Sequence, residues 1–144
     1  CSGFFTFAVT LRPMSTHVVM TTWGSFGDLH PYLAIALELQ ARGHRVTLMG
    51  PESYRAKVEA LSLTFRPLRP DLPADTDDNL EFFGRLMDSR QGTQRLLCEI
   101  MMPQLQKSFG DVWNSTEDAD LLLTHPIVFA GPMVAEIRKL RWVS

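Results

Sequence analysis

The sequence has only two cysteines, Cys1 and Cys98, far apart and in no C-x-x-C pair. Neither a disulfide framework nor a thiolate metal site can be read from them, and a reducing, cytoplasmic setting is the expectation. A basic excess is also missing: 14 Lys and Arg stand against 16 Asp and Glu, for a net charge of −2. That balance recommends neither a nucleic-acid partner nor a polybasic membrane surface. Long apolar runs are absent as well. The longest near the start, residues 4–11, is interrupted by threonines, has no basic residues ahead of it and falls far short of the roughly 20 residues a spanning helix needs. No transmembrane segment is expected, and peripheral contact with a membrane is the alternative to a purely cytoplasmic location. His, Cys, Asp and Glu are nowhere grouped at ligand spacing, so no metal is expected.

What remains is an ordinary folding composition, 45% hydrophobic and 21% charged over 144 residues. A chain of this size forms one domain and buries roughly two thirds of its unfolded surface, so its core needs no staple. Residues 1–13 do not share the pattern that follows and read as a leader or a non-native extension. Met14 is a natural start, and residues 14–144 form the domain.

Residues 17–22 are a β-branched run that stops at Trp23-Gly24-Ser25-Phe26-Gly27, where two glycines end a strand. Pro31 suits the first turn of a helix that Gly43 closes, and its apolar residues point to cover on two faces. Strand 44–49, helix 54–61 and strand 63–68 follow. Next come a solvated loop over 69–78 and a mainly helical stretch over 79–114 that Pro103 should kink or divide. Strand 120–124, helix 127–139 and the opening of a strand at 141–143 end the chain. Alternating strands and helices require crossover connections, so the class is α/β with a parallel sheet. The last strand stops inside an element, which suggests a fragment.

In such a sheet, ligands bind beyond the carboxyl ends of the strands where the strand order reverses. Two segments should meet there, the loop 21–31 and Thr124-His125-Pro126. The loop reads G-S-x-G-D-x-x-P from Gly24 to Pro31. Gly24 and Gly27 open backbone conformations closed to other residues and let a ligand approach the main chain, or they serve the turn alone. Asp28, beside a helix N-terminus, either caps that helix or faces a ligand. A dinucleotide reading lacks G-x-G-x-x-G, G-K-[ST] and an acid at the end of the second strand, since Glu52 follows Pro51. A phosphate-receiver reading lacks an acidic cluster after the first strand. His125 is either a plain loop histidine ahead of a helix or a partner of Asp28 or of a ligand. His30 reads as a cap before Pro31, and His17 and His44 carry no assigned role.

The stretch TTWGSFGDLHPYLAIALELQARGHRVTLMGP resembles the N-terminal domain of GT-B glycosyltransferases, closest to the family 28 and family 1 sterol-glucosyltransferase and rhamnosyltransferase-like enzymes. ADLLLTHPIVFAGPMVAEIRKLRWVS is similar to their fourth-strand to fifth-strand unit, with Gly131, Ala135 and Glu136 in the A-G-x-x-x-A-E-like helix. The resemblance implies a Rossmann-like parallel sheet with helices on both faces, the acceptor-binding half of an inverting, nucleotide-sugar-dependent hexosyltransferase. The acceptor would be a lipid, sterol or natural-product hydroxyl. The nucleotide-sugar donor enters as a co-substrate without a cofactor, and most of it would bind a C-terminal domain. The H-G-G-rich donor signature is absent from this chain, so the chain alone is expected to be inactive. The family's base follows the second glycine of the loop, which puts the role on Asp28, with His125 as second catalytic candidate. Gly24, Ser25, Phe26 and Gly27 would shape the substrate side. The stretch with Phe82, Phe83, Leu86, Met87, Leu96, Leu97, Ile100, Met101 and Met102 packs on the sheet or, as in the family, shapes the acceptor pocket. The rival readings are a non-catalytic α/β binding module and an NAD(P)-dependent oxidoreductase domain.

Overall fold

A computed structural model describes residues 15–71, Gly84, Asp88 and 90–144. Residues 1–13, Met14 and, in the expected insertion, Phe82, Phe83, Leu86 and Met87 lie outside the described residues. The elements in chain order are β1 (His17–Thr21), α1 (Phe26–Ala41), β2 (Arg45–Gly50) and a single 3-10 turn (Glu52–Tyr54) leading into α2 (Arg55–Glu59). Then come β3 (Thr64–Pro67), α3 (Gly92–Arg95), a π-helical segment (Leu96–Met101), α4 (Met102–Ser115), β4 (Leu121–Thr124), α5 (Ala130–Arg138) and β5 (Arg141–Val143).

The five strands form one parallel sheet in the order β3-β2-β1-β4-β5. The chain therefore steps outward from β1 to β3 and then returns to the other side of β1, which places the reversal between β1 and β4. β1 is buried at all five positions, as expected of a parallel strand covered on both faces. Its period of two sorts the core into halves. Val18 and Met20 join Val46, Leu48 and Phe65 under Leu29, Leu33 and Ala36 of α1 and Val58 of α2. Val19 joins Met49 and Leu122 under Val112 of α4 and Val134 and Ala135 of α5. Each such fully buried Val, Leu or Met contributes about 1.5–3 kcal/mol relative to exposure. Helices thus cover both faces, as the resemblance implies.

α1 departs from expectation in two ways. It starts at Phe26, five residues before Pro31, with Ser25 as its N-cap. Pro31 falls inside the helix, where its missing N–H forfeits only the bond to the Gly27 carbonyl in the first turn. The helix is also covered on one face only. Leu29, Leu33 and Ala36 are buried at helical spacing, while Ile35 and Leu37 are exposed, because α1 packs on the sheet and, among the described residues, no second layer lies over it. Gly43 closes the helix at φ +86°, in the left-handed region that favours glycine.

Pro103 does not break the helical run: the backbone stays helical through Met101 and Met102, and the wider π turn over Leu96–Met101 passes directly into α4 just ahead of the proline. α5 begins at Ala130 rather than 127, since the residues after Pro126 form turns first. The two margins of the sheet differ in kind: β3 presents Thr64, Arg66 and Pro67 outward, and β5 presents Arg141, Trp142 and Val143. Among the described residues no helix is long and apolar enough to cross a membrane.

Candidate functional site

The two segments singled out from the sequence do meet where β1 and β4 run out side by side. Thr21 Oγ1 donates to Thr124 Oγ1 at 2.8 Å inside the core, and the His125 N–H donates to the Thr21 carbonyl at 2.9 Å. α5 presses on the same point. A Cβ added at Gly131 would stand 2.3 Å from Thr124 Oγ1, so only a glycine lets the helix backbone lie there.

Beyond β1, the Thr22 N–H continues the ladder to the Met49 carbonyl at 3.0 Å, and the buried Trp23 donates its indole N–H to the Pro70 carbonyl at 2.6 Å. Gly24 then turns the chain at φ +138°, a conformation open to glycine and strained for other residues. The loop is tight there, for a Cβ on Gly24 would meet Asp28 Oδ2 at 2.5 Å. Asp28 is the third residue of α1. Its Oδ2 accepts the Ser25 N–H at 2.7 Å and the Ser25 hydroxyl at 2.8 Å, the arrangement of a capping box. Oδ1 has no hydrogen-bond partner among the described residues. The cap half of the open choice is thus observed for Oδ2, at the carboxyl edge of the sheet.

Two tyrosines sense the Asp28 charge. Burial first, and the nearby carboxylate second, push the Tyr54 and Tyr32 hydroxyls above their ordinary range, so both stay protonated. The buried Tyr54 donates to the Gly24 carbonyl at 2.6 Å and lies 3.1 Å from that of Ser25. Tyr32, one turn beyond Asp28, stands against the His125 ring with centroids 6.2 Å apart. His125 Nδ1 accepts the Ile127 N–H at 3.3 Å, which leaves the proton of the neutral ring on Nε2. No hydrogen bond joins His125 to Asp28 among the described residues; Tyr32 is the side chain beside both.

Phe26 opens α1 and is 43% exposed. Its ring lies 5.8 Å from that of Tyr54, and Lys57 Nζ sits 4.8 Å from its centroid. Gly27 shares the first helical turn. His30 is not a cap before a helix. It lies within α1, where its Nε2 accepts from Lys57 Nζ at 2.8 Å. His17 and His44 belong to the opposite, amino edge of the sheet. His17 Nε2 is 2.9 Å from Thr47 Oγ1, its Nδ1 3.0 Å from Asp118 Oδ1, and His44 Nδ1 accepts the Thr16 N–H. Hollows of about 430 and 500 Å³ also lie at that edge, one beside Arg138 and Arg141, the other beside His17 and Arg45. Neither touches the Gly24–Asp28 loop, and ion-paired side chains line the second. Among the described residues no group of three or more His, Cys, Asp or Glu could hold a metal ion.

Tyr54 is the residue that sequence reading passed over. Its signal was Gly50, the glycine that ends β2, where a Cβ would lie 2.6 Å from the Tyr54 ring.

The model of the glycosyltransferase family 28 N-terminal domain matches residues 18–118, which include β1, the Gly24–Asp28 loop and α1. A sterol 3-beta-glucosyltransferase of Komagataella phaffii is 30% identical over 124 residues, covering 82% of this chain and 9% of that protein. The crystal structure of the glycotransferase of kitacinnamycin is 25% identical, with a TM-score of 0.58 over 90% of this chain and 30% of that one. A spinosyn rhamnosyltransferase, 18% identical, superimposes with a TM-score of 0.63 over 88% of this chain and 34% of its own, a likeness of fold. The chain thus spans about a tenth of its curated relative and about a third of these solved structures. On the match across its first three strands and the loop between β1 and α1, the chain belongs to the glycosyltransferase family 28 N-terminal domain family.

Proposed function

We propose that this chain is the acceptor side of an inverting, nucleotide-sugar-dependent hexosyltransferase, and that Asp28 is its general base. The observation that carries the reading is the split carboxylate: Oδ2 is tied to Ser25, which fixes the group, while Oδ1 has no partner among the described residues at the edge where the strand order reverses. In the reaction, an acceptor hydroxyl gives its proton to Oδ1 as its oxygen forms a bond to the anomeric carbon. The bond from that carbon to the diphosphate oxygen breaks, and the nucleoside diphosphate leaves with the electron pair. Positive charge develops on the sugar ring during this displacement, and a carboxylate within reach stabilises it.

Gly24 and Gly27 keep the loop thin enough for the sugar to approach, and the exposed Phe26 ring offers an apolar wall. His125, with Nε2–H as its free end, is the second group assigned to the acceptor. The short coverage of the relatives supports a longer protein whose C-terminal domain binds most of the donor. Neither a cofactor nor a metal is part of the reading. The acceptor class is a sterol, lipid or natural-product hydroxyl, supported by the likeness to a sterol 3-beta-glucosyltransferase and to the glycotransferase of kitacinnamycin. The location that goes with this reading is the cytoplasm, with peripheral contact at a membrane surface as the alternative for a lipid-like acceptor.

The test is Asp28→Asn in the complete enzyme. Turnover should fall at least about 100-fold with donor affinity nearly intact, the size of effect a positioned base supplies. Turnover near that of the parent enzyme removes Asp28 from the role. A panel of sugar nucleotides, read by donor hydrolysis, identifies the donor.

A further inference from the structure

Tyr54 lies 26 positions beyond Asp28, on the turn that follows β2, and its hydroxyl donates to backbone carbonyls rather than to the carboxylate. Its connection runs through one peptide unit. The carbonyl of Gly24 and the N–H of Ser25 belong to the same planar amide, and in a trans peptide they point in opposite directions. The carbonyl end is held by the Tyr54 hydroxyl at 2.6 Å, and the N–H end holds Asp28 Oδ2 at 2.7 Å. Turning that plane moves both contacts together. A glycine at φ +138° is the residue least able to resist such a turn, because no Cβ limits the rotation.

The geometry points to Tyr54 as a positioning residue for Asp28: its hydroxyl fixes the Gly24–Ser25 amide and thereby the orientation in which Oδ1 faces the acceptor. The assignment rests on Asp28 being the base. The single hydroxyl proton goes to the shorter contact, on Gly24, with the Ser25 carbonyl at 3.1 Å beside it. The ring is held in turn by Gly50, whose missing side chain leaves room for it: an added Cβ would meet Tyr54 Cδ2 at 2.6 Å. Gly50, Tyr54, Gly24 and Asp28 form one line of contact from β2 to the site, and only its last member takes part in proton transfer.

A double-mutant cycle in the complete enzyme tests this. Tyr54→Phe keeps the buried ring and removes only the hydroxyl. It should lower kcat about tenfold while KM for the sugar donor stays within about twofold, since a base held slightly out of line loses transition-state contact and no donor contact. In the Asp28→Asn background the same substitution should cost less than about twofold, because the group it positions is gone. Gly50→Ala displaces the ring without removing the hydroxyl and should reproduce the kcat loss, again only when Asp28 is present. Parental turnover in Tyr54→Phe, or an equal loss with and without Asp28, overturns the assignment while leaving the base reading intact. Full turnover in Asp28→Asn overturns both.

Discussion

Gly24 offers the sharpest test of the loop, because two independent costs meet at one atom. Replacing it with alanine asks a side chain to adopt φ +138°, a strain of about 1–3 kcal/mol. The same methyl would stand 2.5 Å from Asp28 Oδ2 and 3.0 Å from Cγ, so the carboxylate must move away from the Ser25 N–H. A hydrogen bond to a charged group is worth about 1.5–3 kcal/mol, reduced to about 1 kcal/mol for a half-exposed carboxylate. The sum, about 2–4 kcal/mol, corresponds to a melting-temperature drop of roughly 5–15 °C for a domain of this size. Gly27→Ala is the matched control. Gly27 has ordinary helical geometry, and an added Cβ would meet only Ser25 Oγ at 3.3 Å, so the helical preference of alanine offsets the crowding and stability should change by less than about 1 kcal/mol. Thermal melts of the two variants in the complete protein, alongside turnover, make the comparison. If Gly24→Ala melts with its parent, or if both variants lose the same amount, the described turn does not exist and the placement of Asp28 falls with it.

Gly131→Ala should destabilise by about 1–3 kcal/mol through overpacking, since its methyl would meet Thr124 Oγ1 at 2.3 Å and Cβ at 2.9 Å; a urea midpoint equal to the parent's would refute the close docking of α5 on β4. Asp118 is held below the usual aspartate range, first by a hydrogen bond from Arg45 and further by the charges of His17 and Arg45. A carboxylate lowered on folding adds stability that is fully present above its unfolded pKa of about 3.9 and is lost as pH falls through the lower folded value. Asp118→Asn should accordingly flatten the acid side of a melting-temperature profile below about pH 4 and leave its shape near neutrality unchanged; an acid limb as steep as the parent's would dismiss the pair.

The sheet was legible because its strands are short β-branched and apolar runs closed by Gly24, by Gly50-Pro51 and by Pro126, and because Val18, Val19 and Met20 cannot all be buried unless both faces are covered. The start of α1 was not. Pro31 has the residue type of a first turn, yet Ser25 and Asp28, three apart, form a stronger start signal, and reciprocal hydrogen bonding outweighs one lost backbone bond. The apolar surface of α1 misled for a related reason: Ile35 and Leu37 face outward, and sequence periodicity records hydrophobicity without saying what lies opposite. Asp28 stands out beside a helix N-terminus, but the residues alone leave cap and ligand-facing group open, and the base role comes only with the resemblance. The hold of Tyr54 on Gly24 spans 30 positions, and no local pattern announces a contact of that range.

The unlike borders of the sheet carry a practical consequence. On the β3 side a proline and an arginine discourage another strand from joining, by withholding a donor and by adding charge. Beside β5, Trp142 and Val143 stand open, and Arg141 guards that strand without the proline that β3 adds. Concentrated preparations of these 144 residues should therefore self-associate through that border, and a charged replacement at Val143 is the natural first change for anyone wishing to keep the domain dispersed.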